Sequence, residues 1–224
     1  MTKKPSPTTE RHVLIPAGKI DLEGNLSIPP DATGIVLFAH GSGSSRLSPR
    51  NMFVAGELRK ARMATLLFDL LTENEERIDA VTAELRFNIR LLTDRLIQAT
   101  DWALRQSQTG RLKIGYFGAS TGAAAALLAA AERTDVVKAV VSRGGRPDLA
   151  GPALSRVKAP TLLIVGGNDP VVIDLNKAAL EELRVNKDLV LVPGATHLFE
   201  EPGTLEEVAR WATEWLKKYL GVKL

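Results

Sequence analysis

Apolar runs and segments of helical spacing alternate along most of this chain. Gly34–Ala39 (GIVLFA) and Ala64–Asp69 (ATLLFD) are almost continuously apolar. Short runs of this kind fit strands buried on both faces of a parallel sheet. Lys113–Phe117, Val136–Val141, Thr161–Val165 and Asp188–Val192 repeat the pattern. Ahead of them, Arg11–Pro16 and Gly24–Pro29 read as two short strands joined by a turn. The spacing between the runs predicts helices over Asn51–Ala61, Thr121–Arg133, the region of Leu175–Leu183 and Thr204–Tyr219. Glu73 to about Gln108 reads as two more. Strands alternating with helices predict an α/β domain, its mostly parallel sheet of seven or eight strands covered on both faces. Crossovers in such sheets are right-handed, and ligands bind beyond the carboxyl ends of the strands.

Composition narrows the class. The chain has 224 residues, 45% hydrophobic and 25% charged, values ordinary for a globular protein. One domain over residues 11–224, after a flexible tail at residues 1–10, is expected. There is no cysteine, which excludes disulfides, thiolate metal sites and thiol catalysis. That composition suits the cytoplasm. Net charge is +3, but several of the lysines sit near the two ends and only 5% of residues are aromatic. A nucleic-acid partner is therefore not expected. No apolar stretch is long enough to span a membrane, and Met1–Glu10 lacks the apolar core of a signal peptide. No histidine–carboxylate grouping has metal-ligand spacing, so neither a metal nor an organic cofactor is implied. Monomer and homodimer are both compatible with the sequence.

The strand ends carry the chemistry. Gly118-Ala119-Ser120-Thr121-Gly122 lies between a predicted strand and a predicted helix. An abrupt strand-to-helix turn holds the middle residue in a strained conformation with its side chain exposed, and its flanks must be small because the two backbones nearly touch. Ser120 is the candidate nucleophile. The Thr121 N–H, opening the helix, would face developing negative charge. Three histidines could serve as base. His12 lies near the start of the chain, and His40 directly follows a strand. His197 follows the last strand and precedes the last helix, so it is the candidate base. Asp169, in the tight turn Gly166-Gly167-Asn168-Asp169-Pro170, is the candidate acid; Asp174 is its rival. The order is then serine, acid, histidine.

These parts together resemble a small α/β-hydrolase of the dienelactone hydrolase type. The matching segments are His40-Gly41-Ser42-Gly43, Gly118–Gly122, Gly166–Pro170 and Gly194–His197, in the same order. The resemblance implies an oxyanion hole made by the Ser42 and Thr121 N–H groups, with His40 ordering that loop. Dienelactone hydrolases proper carry cysteine as nucleophile, whereas position 120 here is serine. That departure moves the expected activity from lactones toward small carboxylic esters. Acyl transfer through the same serine, and a non-catalytic module binding anions, are the competing readings.

Arginines bear on the substrate. Arg46 and Arg50 follow the third strand; Arg143 and Arg146 follow the sixth. Arg46, Arg143 and Arg146 are candidate substrate-binding residues, since guanidinium groups suit carboxylates and phosphates. The alternative is that they are solvated, or pair with Asp69, Glu73 or Asp148. The short connection between the sixth and seventh strands leaves no room for a cap domain. Residues 73–108 could overhang the cleft instead.

Overall fold

In a computed structural model, residues 8–221 are described. Most of the expected tail therefore lies outside the described residues, although Thr9 and Glu10 already belong to the first strand. The strands are β1 (Thr9–Ala17), β2 (Ile20–Ile28), β3 (Gly34–Ala39), β4 (Met63–Phe68), β5 (Lys113–Ala119), β6 (Val137–Arg143), β7 (Thr161–Gly166) and β8 (Lys187–Val192). The helices are α1 (Pro49–Lys60), α2 (Glu73–Thr82), α3 (Ile89–Arg105), α4 (Thr121–Glu132), α5 (Pro170–Glu182) and α6 (Thr204–Leu220).

The sheet has eight strands in the order β1-β2-β4-β3-β5-β6-β7-β8. β1–β2 and β2–β4 are antiparallel and every other pair is parallel. Register brings the carboxyl ends into line: Ala39 pairs with Gly118, Gly118 with Ser142, and Gly166 with Val192. The candidate residues at those ends thus share one edge.

Alternation within the buried strands divides the core in two. Ile35, Leu37 and Ala39 of β3 pack with Leu92, Leu96 and Ala99 of α3 and the alanines of α4. Val36 and Phe38 point the other way, toward Val54 and Leu58 of α1 and Leu216 and Leu220 of α6. This is why the GIVLFA run is apolar at both parities. Truncating Phe38, which is buried to 1% exposure, would cost about 3–5 kcal/mol.

Several boundaries differ from those expected. β2 begins at Ile20, because Gly18 (φ 72°) and Lys19 make a tight hairpin. Its polar Asp21 and Glu23 are exposed positions alternating with buried Leu22 and Gly24, so a half-buried strand looks like a polar turn. α1 starts at Pro49, where the Ser48 hydroxyl accepts the Asn51 N–H and proline is free of the donor it lacks. Proline likewise opens α5 at position 170. The β6–β7 connection is a kinked run of 3-10 turns, Pro147–Arg156, interrupted at Gly151 (φ 50°). It adds no cap domain.

Candidate active site

Ser120 sits between β5 and α4 with φ 50° and ψ −123°. A positive φ on a residue with a Cβ costs about 1–3 kcal/mol and persists only where neighbours enforce it. They do so here by contact. A Cβ on Gly122 would lie 2.2 Å from the Ala39 carbonyl oxygen and 2.4 Å from that of His40; one on Gly118 would lie 2.5 Å from the Ala123 Cα. No side chain fits at either position. The Ser120 N–H donates to the Arg143 carbonyl at 3.3 Å, and the Ser120 carbonyl accepts from the Arg146 N–H at 3.1 Å. The turn is therefore tied to the end of β6.

The candidate acid, Asp169, and the candidate base, His197, are brought together by two adjacent strand exits. Asp169 is the N-cap of α5, yet its carboxylate makes no capping bond. Its Oδ2 lies 2.8 Å from His197 Nδ1. Main-chain bonds align the two loops: the Gly167 N–H donates to the Val192 carbonyl at 2.8 Å and the Asn168 N–H to that of Ala195 at 2.9 Å. Asn168 Nδ2 adds a bond to the Gly194 carbonyl at 3.0 Å. Asp174 is exposed and lies 4.0 Å from Lys177, away from this pair. No hydrogen bond joins Ser120 Oγ to His197 among the described residues; such bonds are often long before substrate binds.

Sequence reasoning missed the brace on the histidine loop. Glu201 accepts from the Thr196 N–H at 3.1 Å and the Thr196 hydroxyl at 2.6 Å. A carboxylate four residues past a histidine gives no local signal of that role.

The loop after β3 approaches the serine closely. A Cβ on Gly41 would lie 3.0 Å from the Ser120 Cβ. The Ser42 and Thr121 hydroxyls are 3.0 Å apart, and neither residue's N–H has an acceptor among the described residues. His40 is buried and orders the loop, as expected. Its Nε2 accepts from the Leu70 N–H at 2.9 Å, so Nδ1 carries the proton and donates to the Gly41 carbonyl at 3.0 Å. Burial holds this imidazole below its ordinary value, outweighing the Gly41 bond and the charge of Asp69. His12 stands apart, exposed on β1 and 3.6 Å from Glu23.

A cleft of about 300 Å³ opens beside this loop. One wall is His40–Ser45. The other is Glu76, Asp79 and Ala80 of α2, with Arg86 from a 3-10 turn at Leu85–Phe87. The expected overhang from residues 73–108 is thus present. Asp79 is buried and accepts from the N–H groups of Leu85 and Arg86 and from Arg86 Nε, at 2.6–2.9 Å. Burial raises its pKa, but those bonds outweigh burial and hold it below the ordinary carboxylate range. Glu76 is the reverse case: burial, then the nearby charge of Asp69, pushes it up.

The arginines do not act as one group. Arg46 pairs with Asp69 and Glu23. Arg146 makes a two-pronged contact with Asp148 at 2.7 and 2.8 Å. Arg143 is buried without a carboxylate partner among the described residues, and Arg50 reaches Glu200 at 3.0 Å.

Comparison with known proteins agrees with this architecture. The model of the "Dienelactone hydrolase family" matches residues 55–220. A dienelactone hydrolase from Anabaena variabilis is 60% identical with a TM-score of 0.94, covering 96% of this chain and 100% of that one. Est1E from Butyrivibrio proteoclasticus shares the fold at 18% identity and TM-score 0.78, covering 92% of this chain and 98% of its own. Two Mycobacterium tuberculosis proteins carrying the provisional name phosphoribosyl transferase are 55% identical over 214 residues, 96% of this chain. The chain spans 47% of their length. No described helix is long and apolar enough to cross a membrane. By family model and by the Anabaena relative alike, the chain belongs to the dienelactone hydrolase family, hydrolases of the α/β-hydrolase fold.

Proposed function

We propose that the protein is a serine hydrolase of small carboxylic esters. The observation that carries the reading is the 2.8 Å contact between Asp169 and His197 at the sheet edge where Ser120 is held at positive φ. Ser120 Oγ attacks the ester carbonyl. His197 Nε2 takes the hydroxyl proton and returns it to the leaving alkoxide, and Asp169 fixes the Nδ1–H tautomer. The unpaired N–H groups of Ser42 and Thr121 receive the oxyanion of the tetrahedral intermediate; one such donor is worth about 10²–10³ in rate. Water then releases the acyl group by the same steps in reverse. The overhanging wall suits a small acyl or alcohol group.

The transferase name belongs to proteins about twice this length, and the His40–Arg46 loop lacks the G-K-[ST] ending of a phosphate cradle. It does not alter the reading. The test is labelling with a fluorophosphonate together with a chain-length series of p-nitrophenyl esters. The native protein should label once and turn over the short esters best. Ser120→Ala should abolish both while preserving the circular dichroism spectrum. Labelling that persists at Ser42 or Ser45 would overturn the assignment.

A further inference from the structure

The stretch Arg143–Arg146, which leaves β6, touches both halves of the proposed triad. On one side it holds the main chain of Ser120. The Ser120 N–H donates to the Arg143 carbonyl at 3.3 Å, and the Arg146 N–H donates to the Ser120 carbonyl at 3.1 Å. On the other side, a Cβ on Gly144 would come within 3.1 Å of the His197 carbonyl oxygen and 3.6 Å of His197 Cε1. The stretch is confined between them. The Gly144 N–H donates to the Ile164 carbonyl of β7 at 2.8 Å. A Cβ on Gly145 would lie 1.9 Å from Ser142 Oγ and 2.7 Å from the Ala123 Cβ in the first turn of α4.

One further bond to this stretch comes from α5. Asn176, in the second turn of that helix, is fully buried. Its Nδ2 donates to the Gly145 carbonyl at 3.0 Å and to the Val172 carbonyl, four residues back, at 2.8 Å. Both neighbours are carbonyl oxygens, so the amide nitrogen is the atom that faces them. Its Oδ1 is buried with no partner among the described residues. A buried amide left half unpaired destabilises a fold, and leucine would fill the place without that cost. The Val172 bond does not account for the residue, because an α-helix already supplies that carbonyl with a main-chain donor. The Gly145 carbonyl is different. Gly145 is buried, and no main-chain N–H reaches its carbonyl among the described residues. Asn176 supplies the donor.

We infer that Asn176 is a positioning residue: through the Gly145 carbonyl it fixes the Arg143–Arg146 stretch, and so the elbow serine, against α5, the helix whose N-cap is Asp169. One side chain thus links the mounting of the nucleophile to that of the acid. The link stands on the bonds themselves; its effect on rate rests on the ester-hydrolase reading. Neither Asn176 nor any residue of Arg143–Arg146 lines the cleft. The residue should therefore govern attack and not substrate affinity. Misplacing a reacting group by about 1 Å can cost on the order of 10²-fold in rate.

The test has a catalytic arm and a structural arm, both on the full chain. Asn176→Leu removes both donated bonds. Asn176→Ser is the sharper variant, since its hydroxyl can still bond the carbonyl four residues back but is too short to span to Gly145. For a short p-nitrophenyl ester, each should lower kcat about 10- to 100-fold and leave KM within about twofold. The control is Leu216→Ala, fully buried in α6 on the other side of the sheet. It should lower the melting temperature yet leave kcat unchanged where all variants are folded. In the structural arm, hydrogen exchange of the Ser120 and Arg146 amides is followed by NMR. In Asn176→Ser it should quicken about tenfold relative to the Leu37 amide in β3. Should Asn176→Leu fail to fold, Asn176→Ser carries both arms. An unchanged kcat in the folded variants, an equal fall in Leu216→Ala, or a loss confined to KM overturns the positioning role. So does exchange at Ser120 and Arg146 that keeps pace with Leu37. If turnover survives Ser120→Ala, the hydrolase reading fails, while the exchange arm still decides whether Asn176 holds the elbow.

Discussion

The sheet edge beside the cleft, here called the floor, and the α2 wall of the cleft are fixed by different forces. On that edge, Ser120, Asp169 and His197, the proposed triad, are placed by main chain against main chain. Gly118, Gly122 and Gly166 sit where any Cβ would meet backbone atoms within 2.6 Å, and the Asp169 loop donates main-chain N–H groups to carbonyls of the His197 loop. The wall, α2 with the turn that follows, has little apolar anchorage: Asp79 is the one buried residue of α2, while Ile78 and Val81 are largely exposed. Ions hold it instead. Asp79 gathers Leu85 and Arg86, and Glu75 joins the Thr72 cap to Arg95, which also donates to the Leu70 carbonyl. Packing of backbone on backbone does not titrate, and carboxylate–guanidinium bonds do. The geometry of the proposed triad should therefore withstand changes in pH and salt that loosen the surface next to it.

The largest effect should come from the floor. Asp169→Asn keeps the shape of the acid but leaves the imidazole in the wrong tautomer, and kcat for a p-nitrophenyl ester should fall by about 10³–10⁴. Asp174→Asn should barely change it. The reverse pattern would move the acid to position 174 and break the comparison at its base. Next comes Asp79→Ala in the wall, which strips acceptors from two N–H groups and from Arg86. Urea denaturation should register a loss on the order of 3 kcal/mol, the scale for breaking a buried pair. The kcat for the shortest ester should fall far less than in Asp169→Asn; an equal fall would mean that floor and wall are one unit. The smallest effect is the acid response of Glu75. Burial pushes its carboxyl up, but bonds from Arg95 and Thr72 outweigh this and hold it at about 2. A depressed folded value stabilises above the ordinary carboxylate range of about 4.3 and is lost as pH falls from there toward 2. Melting temperatures measured across that window should drop less steeply in Glu75→Gln than in the native chain. Parallel slopes would remove Glu75 from the wall's anchorage.

Legibility in the sequence followed the same division. Features set by backbone sterics leave a trace in residue type: glycines flanking Ser120, glycines before Asp169, continuous apolar runs in doubly buried strands. The α/β-hydrolase order and the grouping at one sheet edge could be read from those traces. Features set by long-range partners could be read only in part. The alternative of pairing with Asp69 and Asp148 holds for Arg46 and Arg146, but nothing near Arg46 names Glu23 as its second partner, and nothing near Arg143 says that no carboxylate among the described residues will pair with it. The start of α5 was hidden for a related reason. Asn168-Asp169-Pro170 is equally good turn chemistry and helix-start chemistry, and only the docking of Asp169 onto His197 separates the two. The start of β2 was lost because one of its faces meets water, and the polar half of an alternating strand resembles a loop.

The exposed elbow has one further use. The chain contains no cysteine, so Ser120→Cys would introduce a solitary thiol at the head of α4, on a half-exposed turn beside the two open N–H groups. A thiolate absorbs in the ultraviolet and alkylates far faster than a thiol, and the start of a helix favours the ionised form. Absorbance and alkylation rate against pH would then report the electrostatic potential at the nucleophile's position directly, without substrate or turnover. The same side chain, read in Arg143→Gln and Asp169→Asn backgrounds, would show how much of that potential each charge supplies.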